Sequence, residues 1–167
     1  MAPEATVRHA RRTDAPAILE LIRALALYEK EPHAVEATVE SIQRTVAFAP
    51  CDSRPARCLL LISPAGEAVG MALYFYNYST WRSKPGIYLE DLFVQPSERG
   101  KGYGKRLLVE LAKQVVAMGG GRLDWVVLKW NEPSIRVYES IGAKAQDEWV
   151  GMRVEGASLE KLAHLLD

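Results

Sequence analysis

Apolar positions in this chain recur either at every second residue or at every third to fourth, and the changes between the two periods outline its elements. Thr6 to His9 reads as a short first strand. Thr13 offers a helix cap, with Asp14 and Pro16 suited to the first turn. Ile18, Leu21, Ile22, Leu25 and Ala26 then form one helical face that ends near Tyr28, where Glu29 to Pro32 break it. A second helix is expected from about Thr38, carrying Val39, Ile42 and Val46. Cys58 to Ile62 and Ala68 to Asn77 read as two strands joined by the Pro64-Ala65-Gly66 turn, a hairpin. Tyr88 to Val94 is a further strand, ended by Pro96 and Ser97. From Tyr103 onward Leu107, Leu108, Leu111, Ala112, Val115 and Val116 fall at helical spacing, and Gly119 to Gly121 stop that helix. Leu123 to Leu128 reads as a buried strand, and Asn131 or Ser134 opens a helix reaching Ser140. Lys144 to Gln146 and Trp149 to Val154 read as two last strands, followed by a short helix over Ser158 to Leu166. The order β-α-α-β-β-β-α-β-α-β-β predicts an α/β chain with a mixed sheet and helices on both faces, in one domain spanning residues 1–167.

The most informative stretch lies where the Tyr88 to Val94 strand passes into the Tyr103 helix. Gly100, Gly102 and Gly104 let a ligand approach the backbone without a Cβ in the way. The start of the helix presents N–H groups without carbonyl partners, which is an anion site. Arg99, Lys101, Lys105 and Arg106 add positive charge, so a phosphate or diphosphate is the expected guest. Two common phosphate motifs do not fit. G-x-x-x-x-G-K-[ST] fails because Gly104-Lys105 is followed by Arg106, and G-x-G-x-x-G fails because its last position would be Lys105 or Leu107. The pattern present is Arg99-x-x-Gly102-x-Gly104.

Composition narrows the rest. Lys plus Arg and Asp plus Glu number 21 each, so zero net charge gives no ground for bulk nucleic-acid binding. No apolar run approaches the length of a membrane span, and Met1 to Arg12 carries charges but no apolar signal-peptide core, so a cytoplasmic protein without a membrane partner is expected. Cys51 and Cys58 are expected as two free thiols, and His9, His33 and His164 are too scattered to suggest a metal site.

A second constellation is Trp130-Asn131-Glu132-Pro133-Ser134-Ile135-Arg136-Val137-Tyr138. Asn131 can cap a helix whose first turn holds Pro133, and Tyr138 lies four residues past Ser134, about one turn on. A tyrosine hydroxyl stays protonated at pH 7 and can give a proton to a leaving thiolate; a packed core tyrosine is the plainer reading.

The Arg99-x-x-Gly102-x-Gly104 turn resembles the R/Q-x-x-G-x-G/A signature of the GNAT superfamily of acyl-CoA-dependent N-acetyltransferases. The strings Trp130 to Ala143 and Tyr88 to Val94, with Leu25 to Glu29, look like its diamine (spermidine/spermine) acetyltransferase branch, a likeness running from Arg8 to about Ala163. The resemblance implies a mixed α/β (α+β) fold with a largely antiparallel sheet flanked by helices, acetyl-CoA as cosubstrate, no metal, and a homodimer with the C-terminal strands at the interface. It implies that Leu92, Phe93 and Val94 offer backbone to the pantetheine arm. Arg99, Gly100, Lys101, Gly102, Tyr103, Gly104 and Lys105 would hold the diphosphate, and Asn131 and Ser134 would touch the coenzyme. Tyr138 matches the catalytic tyrosine, while Tyr28, Glu29, Glu90, Asp124, Trp125 and Val126 match amine-binding positions.

The chemistry of these residue types agrees. An amine is a cation at pH 7 and must lose a proton before it attacks a thioester, so a nearby carboxylate both attracts it and accepts its proton. Regular strand alternation sends Glu90 and Asp91 to opposite faces, so only one enters the cleft; Glu90 is favoured, with Glu29 as a second anionic wall. Trp81, Tyr74, Tyr76 and Tyr78 offer aromatic faces for a cation, although a buried strand accounts for most of them. The chain departs from the diamine branch at Asp147-Glu148-Trp149-Val150, where that branch has an acid before G-W-R. Asp147 takes the acid's place behind a shorter loop, which favours a short diamine or a lysine-like amine over a long polyamine. Acetylation of protein lysines or N-termini, and a coenzyme-A-binding regulator without chemistry, are the competing readings.

Overall fold

Leu59, Leu60 and Leu61 are three consecutive buried leucines, which a strand accommodates only when both faces of its sheet are covered. The structure, a computed structural model, shows that arrangement and describes residues 4–167; the first three residues of the amino-terminal stretch considered above lie outside it. The chain divides between Val126 and Val127 into two compact units.

The first unit holds β1 (Thr6–His9), α1 (Ala15–Tyr28), α2 (Val39–Thr45), β2 (Val46–Ala47), β3 (Ala56–Ile62), β4 (Ala68–Ser79), β5 (Lys84–Val94), α3 (Tyr103–Ala117) and β6 (Leu123–Asp124). The sheet order is β1-β3-β4-β5-β6, with β2 beside the start of β3. The three long pairings, β1 with β3, β3 with β4 and β4 with β5, are antiparallel. The β2–β3 and β5–β6 pairings are parallel and two residues long. The mixed, largely antiparallel sheet is therefore the one expected.

Its two faces are read from alternation. Cys58 and Leu60 of β3, Met71 of β4 and Phe93 of β5 pack with Ile18, Leu21 and Leu25 of α1 and Ile42 of α2. On the opposite face Leu107, Leu108, Leu111 and Val115 of α3 are buried, and the buried Tyr74 donates its hydroxyl to Gln114 Oε1 of α3 at 2.7 Å. Tyr74 is thus a core residue rather than a wall for a ligand.

Several local expectations are corrected. Thr13 caps nothing: Arg12–Asp14 form a 3₁₀ turn, and the Asp14 carboxylate accepts from Arg8 Nη1 at 2.7 Å, Arg8 Nη2 at 3.0 Å and the Arg11 N–H at 2.6 Å. Thr38 does cap α2, accepting from the Ser41 N–H at 3.1 Å, but the helix ends at Thr45 and Val46 belongs to β2. The strand expected over Leu123 to Leu128 keeps only its first two residues.

The second unit, residues 127–167, contains α4 (Glu132–Ser140) and α5 (Ala157–Ala163). The strands expected at Lys144–Gln146 and Trp149–Val154 do not form. A strand exists through its ladder, and these segments find no partner edge among the described residues.

Candidate active site

The phosphate turn is built by the end of β5. Pro96–Glu98 form a 3₁₀ turn, Gly100 and Gly102 take positive φ of 79° and 77°, and Gly102 sits at the N-cap of α3. A side chain at either glycine would strain this backbone. The N–H groups of Gly100, Lys101 and Gly102 meet no backbone carbonyl among the described residues, and those of Tyr103, Gly104 and Lys105 lie in the first helical turn, where none is available. The first N–H taken is that of Arg106, by the Gly102 carbonyl at 3.0 Å. Gly104 differs from its neighbours: its φ is ordinary, and a Cβ built there would meet no atom within 4 Å. A glycine inside a helix costs about 1 kcal/mol against alanine, and the protein's own packing gives no reason for it here. The space left open suits a diphosphate, so these residues fit the anionic end of a coenzyme.

The four cations expected here are mostly engaged elsewhere. Lys101 bridges to Glu98 at 2.9 Å, Arg106 reaches back to the Ala5 carbonyl, and the Arg99 guanidinium lies over the rings of Tyr28 and Phe93. Lys105 alone of the four makes no ion pair or ring contact among the described residues. Backbone N–H groups and Lys105 are thus what this turn leaves open to an anion.

Strand β5 leads into this turn with one open edge. It pairs with β4 from Lys84 to Val94, but with β6 only at Ile87 and Tyr88. From Leu89 to Val94 the second edge of β5 pairs with no strand among the described residues. That stretch includes Leu92, Phe93 and Val94, the residues the resemblance assigns to the pantetheine arm, and an extended amide-bearing arm is what a free strand edge accepts.

The carboxylates meet where the β4–β5 ladder is irregular. Leu60, Met71 and Phe93 form one cross-strand row, and Cys58, Leu73 and Asp91 the next, on the face packed by α1. The register then shifts, because Tyr74 pairs with Leu89, and Glu90 is the extra residue of a bulge. The alternation that assigned Glu90 and Asp91 to opposite faces does not run through this point. Glu90 is exposed and Asp91 is half-buried. Burial first, then the charges of Glu90 and Glu29, push the Asp91 carboxyl up to about 6. Burial also raises Glu29, which follows the last residue of α1. Lys30 turns the chain there at φ 68°, with the Glu31 N–H on the Ala26 carbonyl at 2.9 Å. Three carboxylates therefore influence one another, and Asp91 is the one that sequence reasoning set aside.

Other expected residues fall in different settings. The Asp124 carboxylate accepts from Asn77 Nδ2 at 2.9 Å and Arg122 Nε at 2.7 Å, so its side chain has a structural task. Trp125 and Val126 follow it at the end of the first unit. Trp81 is 90 % exposed at the tip of the β4–β5 hairpin. Six residues separate Lys84 from Glu90, about 20 Å along the strand, so the fold does not bring Trp81 beside Glu90 within one copy. In the second unit Asn131 is buried at the N-cap of α4, although its side chain makes no capping bond; Ser134 and the half-buried Tyr138 follow on that helix. Asp147 lies exposed in the loop after α4.

A free strand edge ending in a glycine turn and a helix N-terminus suits a ligand with an extended arm and an anionic end. The chain belongs to the Acetyltransferase (GNAT) family, which it matches over residues 15–143. It is 35% identical over 167 residues to the thialysine N-epsilon-acetyltransferase of Bos taurus, covering 94% of this chain and 96% of that protein. It is 30% identical over 204 residues to the L-ornithine N5-acetyltransferase of Arabidopsis thaliana, covering 95% and 88%. Among solved structures it resembles an integron cassette protein from the mobile metagenome of V. cholerae, with a TM-score of 0.80 over 96% of this chain and 98% of that one; at 24% identity this likeness concerns the fold.

The open space at Gly104 gives a direct test. Gly104→Val should keep the fold, since nothing in the protein occupies that space, yet weaken acetyl-CoA binding by about tenfold or more. Calorimetry showing the parent affinity would remove the cradle.

Asp91 gives a second test. Its folded value of about 6 lies above the ordinary 3.8, so its contribution to stability is complete below about pH 4 and is lost as pH rises through 6. Asp91→Asn should be the more stable protein at pH 8, by up to about 2 kcal/mol, and the gap should close as pH falls toward 4. Denaturant titrations that run parallel at both pH values would show that Asp91 is not buried as described.

Proposed function

We propose that this chain transfers the acetyl group of acetyl-CoA to the primary amine of a small lysine-like or short diamine substrate. The observation that carries the reading is the open edge of β5, which runs from the Glu90 bulge to the anion-binding turn. GNAT proteins use acetyl-CoA as cosubstrate, and when bound it supplies a thioester as acetyl donor. The free edge at Leu92 to Val94 takes the extended arm and the N–H row from Gly100 to Lys105 takes the diphosphate. Asn131 and Ser134 are assigned to the coenzyme by the resemblance of their motif.

Glu29, Glu90 and Asp91 make a negative region that draws an ammonium ion and lowers its desolvation cost. Glu90, the exposed member at the bulge, accepts the ammonium proton directly or through water. The free amine attacks the thioester carbonyl, the nitrogen–carbon bond forms as the carbon–sulfur bond breaks, Tyr138 Oη gives the departing thiolate its proton, and the second proton shed by the new amide nitrogen restores the Tyr138 hydroxyl through solvent. Tyr28 supplies the aromatic wall. Asp124, Trp125 and Val126 act through backbone, since the Asp124 carboxylate is already paired. The relatives that act on thialysine and ornithine support a substrate with a short aliphatic amine. Asp147, exposed on its loop, is assigned to the distal charge of the substrate. Two free thiols, Cys51 and Cys58, agree with a reducing cytoplasm.

A thiol-release assay with acetyl-CoA across thialysine, lysine, ornithine, short diamines, spermidine, spermine and a lysine peptide tests the reading. A lysine-like amine or short diamine should give a higher kcat/KM than spermine, and Tyr138→Phe should lower kcat by about 10²–10⁴-fold with acetyl-CoA affinity retained. Preference for the peptide would overturn the small-amine assignment, and an unimpaired Tyr138→Phe would return that residue to packing.

The same reading includes a homodimer. Trp149, Val150 and Met152 are 72, 80 and 90 % exposed in a segment that pairs with no strand of its own chain, and a second copy offers the partner edge it lacks. Sedimentation at micromolar concentration should give a dimer, and Trp149→Glu with Met152→Glu should give monomers. A parent that sediments as a monomer would count against it.

A further inference from the structure

Arg99 opens the phosphate turn, yet its guanidinium lies against rings on the amine side. Its Cζ lies 4.6 Å from the Tyr28 ring centroid and 5.7 Å from that of Phe93, and its Nε–H donates to the Val94 carbonyl at 3.1 Å. Its own backbone N–H is taken by the Pro96 carbonyl at 3.3 Å. These contacts join three parts of the first unit: the end of α1, the open-edged end of β5 and the start of the glycine turn. Tyr28 is the last residue of α1, where helix carbonyls leave partial negative charge, so a cation is favoured there on electrostatic grounds as well.

We propose that Arg99 is a positioning residue for the amine side of the site, holding Tyr28 and the end of α1 against Phe93, and that it does not bind the coenzyme through its charge. The proposal rests on the small-amine reading above. The chemistry required is that of a planar fork: a flat cation lies against two rings while an in-plane N–H reaches a carbonyl. Lysine keeps the charge but has neither the plane nor the fixed N–H. The anion site does not need this charge, because six successive backbone N–H groups and the α3 N-terminus serve it.

Arg99→Lys and Arg99→Met separate the two roles. As a clamp, Arg99 is replaced by neither: both variants should raise KM for the amine by about tenfold, and their acetyl-CoA Kd values should agree with each other within about threefold. Tyr28→Leu should raise the amine KM alike, and Arg99→Met added to it should raise KM little further, as two residues of one contact do. The proposal is overturned if Arg99→Lys keeps the parent Kd while Arg99→Met loses it by tenfold or more, or if the two KM effects simply multiply. A parent that acetylates no amine in the panel would defeat the function reading instead. The calorimetric comparison of the Lys and Met variants still decides the role of Arg99 by the same criterion.

Discussion

Strand β5 is paired from Lys84 to Val94 on one side, interrupted only by the bulge at Glu90, and at only two residues on the other, and the rest of the site depends on that imbalance. An unpaired edge in a sheet is ordinarily a liability, because it invites another chain to add to it. Here the exposed backbone groups lie just before a turn whose N–H groups are also unsatisfied. One ligand with an amide-bearing arm and an anionic end can serve both. The strand is anchored by its pairing with β4 and by Phe93 in the core. Such anchoring lowers the ordering cost of binding.

The same strand sets the acid chemistry. A bulge displaces one residue from the ladder, and at Glu90 it brings two successive carboxylates toward a third at the end of α1. Burial chiefly raises Asp91, and the charges of Glu90 and Glu29 add to the cost of ionising it. A bound ammonium relieves that repulsion, so the strain favours the cationic substrate. As its proton leaves, the group that accepts it is also relieved.

The regular part of this architecture was legible in the sequence. The helical face of α3, the hairpin of β3 and β4 and the glycine turn follow from period and punctuation, which are local. What escaped is set by pairing across strands. A one-residue register shift leaves no mark in composition, so alternation through Glu90 and Asp91 assigned them to opposite faces and Asp91 was passed over. The direction of Arg99 was equally hidden, because a basic residue beside a phosphate turn looks the same whether it faces the phosphate or two aromatic rings. The segments 144–146 and 149–154 have strand-like composition but no edge to join, and propensity cannot supply a partner. Asp124 matched a motif position, while its carboxylate turned out to hold Asn77 and Arg122.

The two charged regions also have to be kept apart, and β5 does that as well. Glu90 and Val94 are four residues apart, about 13 Å along the strand, and the N–H row begins beyond Val94. The screening length at physiological salt is about 8 Å. At this distance the Glu90 carboxylate barely weakens the attraction of the turn for a diphosphate, and the helix N-terminus barely weakens its attraction for an ammonium ion. A shorter span would make each region oppose the other's ligand. With equal numbers of acidic and basic residues, the chain has no net field to steer either ligand. A ligand carrying both an arm and an anionic end suits this local separation of charge along a single strand.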